Sequence, residues 1–255
     1  MNLAFDLKAA DGYKSKSQIA RVLTESWVGK NIYCPNCGNE ILNEFANNSP
    51  VADFFCGDCN HEYELKSKKD SSTLKIVDGA YSTMIDRINS DNNPNFFFLN
   101  YKSSDFTVQN FFVIPKHFFI DEIIEKRKPL SPNAKRAGWI GCNILLNGIP
   151  ESGKIHFVKN NTVLERSEVL SNWNKTKFLS KQKKENRGWT IEILNLLDRI
   201  QSNDFYLKDV YKFEEDLQVK FPNNNFVKDK IRQQLQVLRD KNLIEFLGNG
   251  HYKKV

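Results

Sequence analysis

The stretch PVADFFCGDCNHEYELKSK, residues 50–68, carries two interlocking patterns. Cys56 and Cys59 form a C-x2-C pair that matches an upstream pair, Cys34 and Cys37, in CPNC. Around the second pair stand Asp53, Glu64 and Lys66, spaced D-x10-E-x-K. Because Cys56 and Cys59 fall between the two carboxylates, one hairpin is expected to carry a thiolate site and an oxygen site together.

The thiolates point to zinc. A tetrahedral Zn2+ takes four soft ligands, and C-x2-C sets two sulfurs on one tight knuckle. Gly38 follows the first knuckle and Gly57 lies inside the second, so the backbone can turn and aim amides at the sulfurs. With cysteine at all four positions the site is closed, hence structural. A redox dithiol and an iron–sulfur cluster are the competing readings, and two such pairs favour zinc over the dithiol. Paired cysteines of this kind suit a reducing compartment better than a disulfide framework. Cys142 is left over and reads as a small buried hydrophobe.

The carboxylates point to Mg2+. Strand alternation puts Glu64 and Lys66 on one face and Leu65 on the other. Asp53 can sit on the preceding antiparallel strand. Oxygen ligands converging from two strands suit Mg2+, which also takes waters and phosphate oxygens. Such an ion polarises a scissile phosphate and lowers the pKa of a bound water. Lys66 would position that water or stabilise transition-state charge. The same spacing also occurs on solvated strands. The upstream Pro50, giving P-x2-D…E-x-K, and the apolar setting favour a nuclease. Glu62 shares the face of Glu64 and reads as a supporting or exposed residue. His61 reads as a hydrogen-bonding surface residue.

In a chain of 255 residues, 40% hydrophobic and 12% aromatic, there is room for a large domain and a small one. No apolar run approaches the roughly 20 residues of a membrane span. The first residues lack the basic-then-apolar order of a signal peptide. A soluble, cytoplasmic protein is expected. The net charge of +6 favours an anionic partner.

Ile19, Val22, Leu23 and Trp27 recur at helical spacing, and Gly79 to Ile88 reads as a second helix. The runs NFFFL (95–99) and FFVI (111–114) suit buried strands of a mixed sheet. The class is therefore α/β. From Asn174 to Arg187 six basic side chains face one acid, Glu185, and the segment reads as a linker. The boundary is set near 183, giving domains 1–182 and 183–255.

Beyond it come three helical stripes: Trp189, Ile193, Leu196, Leu197 and Ile200; Leu207, Val210, Tyr211, Leu217 and Phe221; Ile231, Leu235 and Leu238. A hairpin signal, Gly248-Asn249-Gly250, follows. Three helices and a hairpin is the order of a winged helix-turn-helix. Off the third stripe lie Lys228, Lys230, Arg232, Gln233, Gln234 and Gln236. Arg and Gln can read base edges while Lys grips phosphate. Asn224 and Asn225 would cap that helix or touch bases, and Lys253 lies on the wing. The plain alternative is an ordinary solvated helix face, and charge does not decide: residues 183–255 hold 14 basic and 11 acidic side chains, +3. In EKRKPLSPNAKRAGWIG (125–141), Arg136 and Trp139 suit phosphate gripping and base contact. Equally, Trp139 packs into the core and the charges are solvated.

Several stretches together resemble the DpnI-like methyl-directed type II (IIM) restriction endonucleases of the PD-(D/E)xK nuclease superfamily. They are YCPNCGN (33–39), PVADFFC (50–56), ELKSKK (64–69), DNNPNFFFL (91–99), KRAGWIGCNI (135–144), RGWTIEILN (187–195) and KIRQQLQVLRDK (230–241). The resemblance runs along essentially the whole chain. It implies a PD-(D/E)xK core with a four-cysteine zinc insertion, joined to a C-terminal winged helix. It implies Mg2+-dependent cleavage of double-stranded DNA at GATC carrying N6-methyladenine. Asp53, Glu64 and Lys66 would then be catalytic, the four cysteines would hold zinc, and Trp139 and the third helix would read the methylated site. A monomer in solution is expected. The rivals are a zinc-stabilised winged-helix regulator without catalysis, which has no need of a converging Asp53, Glu64 and Lys66, and a repair-type nuclease without GATC specificity.

Overall fold

The computed structural model describes residues 1–46, 52–70, 75–90 and 92–255; Pro50 lies outside them. The chain divides into two compact units, 1–148 with 153–174, and 149–152 with 175–255.

In the first unit, helix α1 (Lys16–Asn31) leads into short strands β1 (Asn43–Glu44) and β2 (Phe54–Phe55). Then come β3 (Glu62–Lys69), β4 (Lys75–Ala80), helix α2 (Tyr81–Asn89), β5 (Asn95–Lys102) and β6 (Thr107–Ile114). Strands β7 (Ile124–Lys126), β8 (Gly141–Leu145), β9 (Ile155–Lys159) and β10 (Thr162–Val163) follow, and helix α3 (Arg166–Thr176) closes the series. Seven strands form one sheet in the order β1-β2-β3-β5-β6-β9-β10. The β3–β5 pair is parallel and its neighbours are antiparallel, so the sheet is mixed. A second sheet has the order β4-β8-β7.

The central strand explains the run NFFFL. Asn95 to Leu99 are all buried, because β5 is covered on both faces. On one face Leu23, Trp27 and Val28 of α1 pack over Tyr63, Phe97, Phe111 and Phe157. Tyr63 and Phe97 stack with ring centres 4.5 Å apart. On the other, Phe96 meets Phe119 and Phe98 meets Phe112. The side chains of β3 divide in the same way: Tyr63 is buried in the α1 core and Leu65 packs against it. Glu64 and Lys66 take the opposite face. Helix α2 starts at Tyr81 and not at Gly79, because Gly79 and Ala80 still belong to β4, where a bulge lies between Asp78 and Ala80.

The second unit holds α4 (Lys184–Arg199), β11 (Asp204–Tyr206), α5 (Leu207–Tyr211), α6 (Glu214–Lys220), α7 (Val227–Asp240), β12 (Ile244–Gly248) and β13 (His251–Lys254). Its strands pair in the order β11-β13-β12, and the β12–β13 hairpin turns through Gly248, Asn249 and Gly250, all at positive φ. The second stripe is two helices instead of one. The chain breaks at Lys212-Phe213 and restarts with Glu214, Glu215 and Asp216, acids that suit a helix N-terminus. Trp189, Ile193, Leu196, Val210, Leu217, Ile231, Leu235 and Leu238 form the core. The basic segment 174–187 is ordered structure rather than a free linker. It contains the end of α3, a 3-10 turn (Lys177–Lys181) and the start of α4. Leu179 and Arg187 are buried, and that anchoring is hidden by the surrounding lysines. No helix among the described residues is long and apolar enough to cross a membrane.

Candidate active site

The four cysteines converge. Their sulfurs all lie within 4.8 Å of one another, with Cys34–Cys59 and Cys37–Cys56 at 3.5 Å. Tetrahedral zinc with Zn–S bonds of about 2.3 Å needs sulfurs about 3.8 Å apart, so the cluster is compatible with structural zinc. The knuckles are closed by Gly38 N–H donating to the Cys34 carbonyl (2.8 Å) and Asn60 N–H donating to the Cys56 carbonyl (2.9 Å). Backbone amides of Asn36 and Cys37 reach Cys34, and that of Asn39 reaches Cys37. Burial pushes both of these thiols up, a penalty on the thiolates that a bound cation would offset.

Helix α3 braces the knuckles from outside. Trp173 Nε1 donates to Asn36 Oδ1 (3.1 Å), and Arg166 donates to the Gly38 carbonyl. His61 lies edge-on to Trp173 and 3.3 Å from the Cys59 carbonyl. It is outside the cysteine cluster, as its sequence context suggests.

Asp53 immediately precedes β2, whose two residues pair with Tyr63 and Glu62 of β3. Asp53 N–H donates to the Tyr63 carbonyl (3.0 Å), and its Oδ2 accepts the Leu65 N–H (2.6 Å). Asp53 is thus locked onto β3 beside Glu64. Lys66 Nζ donates to Glu64 Oε1 and, on the other side, to Asp78 Oδ1, both at 2.5 Å. Asp78 lies on β4 of the second sheet, so the lysine bridges two sheets. The side chains of Lys66, Glu64 and Asp78 are only 18%, 21% and 9% exposed. The ammonium also lies 5.9 Å from the centre of the Phe96 ring. Beside the triad opens a cleft of about 220 Å³, lined by Glu64, Asp78, Thr83, Met84, Arg87 and Phe96.

Burial raises the pKa of Glu64 above the usual carboxylate range. Lys66 opposes that shift, while Asp78 and Asp53 reinforce it. Burial works against the Lys66 charge, but Glu64 and Asp78 outweigh it and hold the ammonium above its ordinary value. Carboxylates on adjacent strands, in electrostatic contact and beside a cleft, form a donor set of the kind Mg2+ takes when phosphate and waters complete its shell. Among the described residues only the cysteines bring three ligand atoms together unaided.

Two members of this acidic neighbourhood are not singled out by sequence. Asp78 comes from a different sheet, and no spacing rule links residue 78 to residue 66. Glu25 projects from α1, where burial raises its pKa against the pull of Arg21, and Asp53 and Glu44 add to the rise. Its only signal is its spacing of three from Val22 on the apolar stripe of an amphipathic helix.

The expected DNA-facing residues fall into four groups. Lys228, Arg232 and Gln233 on α7 and Lys253 on the wing are exposed, as is Asn225. Lys228 pairs with Glu214 (3.1 Å), and Arg232 pairs with Asp229 and donates to the Tyr211 hydroxyl (2.7 Å). Asn224 Oδ1 accepts the Phe226 N–H (2.8 Å) in a turn just ahead of α7, whose N-cap residue, Phe226, makes no side-chain capping bond. Gln234 is a correction. It is 2% exposed and its Oε1 accepts the Thr190 hydroxyl (2.6 Å), because it shares the inward face with Ile231, Leu235 and Leu238. Trp139 is neither core nor free. Its half-buried ring lies over Gly141, where a Cβ would come within 2.8 Å, and the Arg136 guanidinium stacks on it at 4.7 Å.

Residues 1–182 match the family model DpnI, described as the Dam-replacing family, and residues 185–254 match DpnI_C, the Dam-replacing HTH domain. With a mixed-sheet core, a four-cysteine cluster and a C-terminal helix-turn-helix unit, the chain belongs to the DpnI family of methyl-directed restriction endonucleases.

Proposed function

We propose that the protein is an Mg2+-dependent enzyme of the cytoplasm that hydrolyses both strands of double-stranded DNA at GATC containing N6-methyladenine. In this reading residues 1–182 form the PD-(D/E)xK catalytic domain and residues 183–255 the winged-helix reader, acting as a monomer in solution. The sequence choice rests on family membership. The chemistry rests on one observation: a lysine held 2.5 Å from Glu64 on the strand that also fixes Asp53, at the edge of a cleft.

Asp53 and Glu64 would hold Mg2+, which when bound supplies charge to the scissile phosphate and acidifies a water. Leu65 N–H orients Asp53 through Oδ2. The Lys66 ammonium stands where it can donate to the attacking water or to a phosphate oxygen that gains charge. It needs no proton uptake, since both carboxylates keep it charged. Zinc on Cys34, Cys37, Cys56 and Cys59 holds the β2–β3 hairpin. Arg136 and Trp139 on the loop between β7 and β8, and Asn225, Lys228, Arg232, Gln233 and Lys253 on the second unit, would contact DNA.

The test is a digest with Mg2+ of two plasmid preparations that differ only in adenine methylation at GATC, with Asp53→Ala alongside. Cleavage of the methylated plasmid alone, lost in the variant, is expected. DNA binding without cleavage of either would favour a winged-helix regulator. Equal cleavage of both would point to a nuclease blind to methylation.

A further inference from the structure

We propose that Asp78 is a positioning residue for DNA cleavage, holding the Lys66 ammonium at one point beside Glu64 from the opposite sheet. This rests on the nuclease reading given above. A lysine ends in a point charge on a flexible four-carbon stem, and β3 pairing fixes only its Cα. A second anchor is therefore needed to define where Nζ sits. Glu64 alone cannot supply it, because it lies two residues from Lys66 on the same strand face and holds the ammonium from one side only. Asp78, pulling from the far side at 2.5 Å, divides the ammonium between two carboxylates and so defines its position.

The local backbone is shaped for this. Asp78 is opposite Cys142 and Ala80 is opposite Gly141, so Gly79 is the extra residue of a bulge. Bulges of this kind re-aim a side chain next to a site. Asp78 Oδ1 also accepts the Gly79 N–H (2.7 Å), which fixes the carboxylate before it meets the lysine. Cys142 Sγ packs under the bulge, 3.5 Å from the Gly79 carbonyl. At 9% side-chain exposure Asp78 is the most buried member of the triad, as an anchor should be.

The experiment compares wild type with Asp78→Asn, Asp78→Glu, Lys66→Ala and the double variant Asp78→Asn/Lys66→Ala, under single-turnover conditions on a methylated GATC duplex across a Mg2+ titration. Asp78→Asn keeps size and removes the charge. It should lower the rate at saturating Mg2+ by about 10²-fold, the usual cost of misplacing a catalytic group by an ångström. Duplex affinity and the half-saturating Mg2+ concentration should not move. Asp78→Glu should recover part of the loss. In the Lys66→Ala background, Asp78→Asn should change nothing further, because its effect passes through the lysine. A raised Mg2+ requirement would make Asp78 a metal ligand and overturn the proposal. So would an unaltered rate, a further fall in the double variant, or a lowered melting temperature that Asp78→Glu does not mend. A wild type that binds the duplex and never cuts it would remove the nuclease reading itself, and this inference with it.

Discussion

The Tyr63 hydroxyl lies 3.2 Å from Cys34 Sγ, tying the cysteine cluster to the strand that carries Glu64 and Lys66. Tyr63 is fully buried and stacked on Phe97, so its ring is fixed independently of that contact. Tyr63→Phe should therefore keep the packing and lose the hydroxyl alone. A net loss of about 1 kcal/mol is expected, read as a melting temperature lower by about 2–4 °C. Zinc should also leave faster to a chelator. An unchanged release rate would show that the hydroxyl does not support the metal site.

Gln233 and Gln234 are neighbours on α7 with opposite surroundings. Gln234→Ala removes a buried partner of Thr190 and should cost about 1–3 kcal/mol of stability. Gln233→Ala, on the exposed face, should leave stability within about 0.5 kcal/mol and weaken duplex binding. Thermal melts and a binding titration on both variants check this. The expectation fails if the two effects are exchanged.

The acid limb of cleavage should come from Glu64. Its pKa is raised by burial, so it takes up a proton at a pH above the ordinary glutamate value of 4.5. Metal binding needs the ionised form, so the Mg2+ requirement should climb as pH falls toward that raised value. Lys66 is shifted upward from 10.5, so no alkaline loss should arise from it below that pH. A rate profile over pH at several Mg2+ concentrations reads both limbs. An acid limb insensitive to Mg2+ would assign it elsewhere.

Gly141 bears on Trp139. A Cβ there would approach the indole to 2.8 Å and push the ring off its seat. Gly141→Ala and Trp139→Ala should thus share a phenotype, a lower ratio of methylated to unmethylated cleavage. Burying one methyl is worth only about 0.8 kcal/mol, so a ratio reduced by more than about fourfold would mean that the ring also excludes unmethylated adenine. If both variants keep the wild-type ratio, the loop is not the sensor.

The elements legible in sequence are those whose signal is local. CPNC and CGDC announce their knuckles, NFFFL announces a strand buried on both faces, and Ile231, Leu235 and Leu238 mark α7. Alternation alone sets Glu64 and Lys66 on one face. Asp78 escapes because its partnership with Lys66 is made between sheets, where sequence separation carries no information. Gln234 misleads because a polar side chain on a helix reads as exposed unless its buried partner, Thr190 on α4, is known. The lysines of 174–187 hide Leu179 in the same way, their charge masking one anchoring side chain.

Strand β2 is two residues long, with Asp53 directly before it and Cys56 directly after. The interval from 53 to 56 is thus a ruler without slack. Adding or removing one residue there would turn either the carboxylate or the thiolate to the opposite side of the sheet. Phe54 and Phe55 are open to exchange for other side chains that fit their places, but the count of two residues between Asp53 and Cys56 is not open to change.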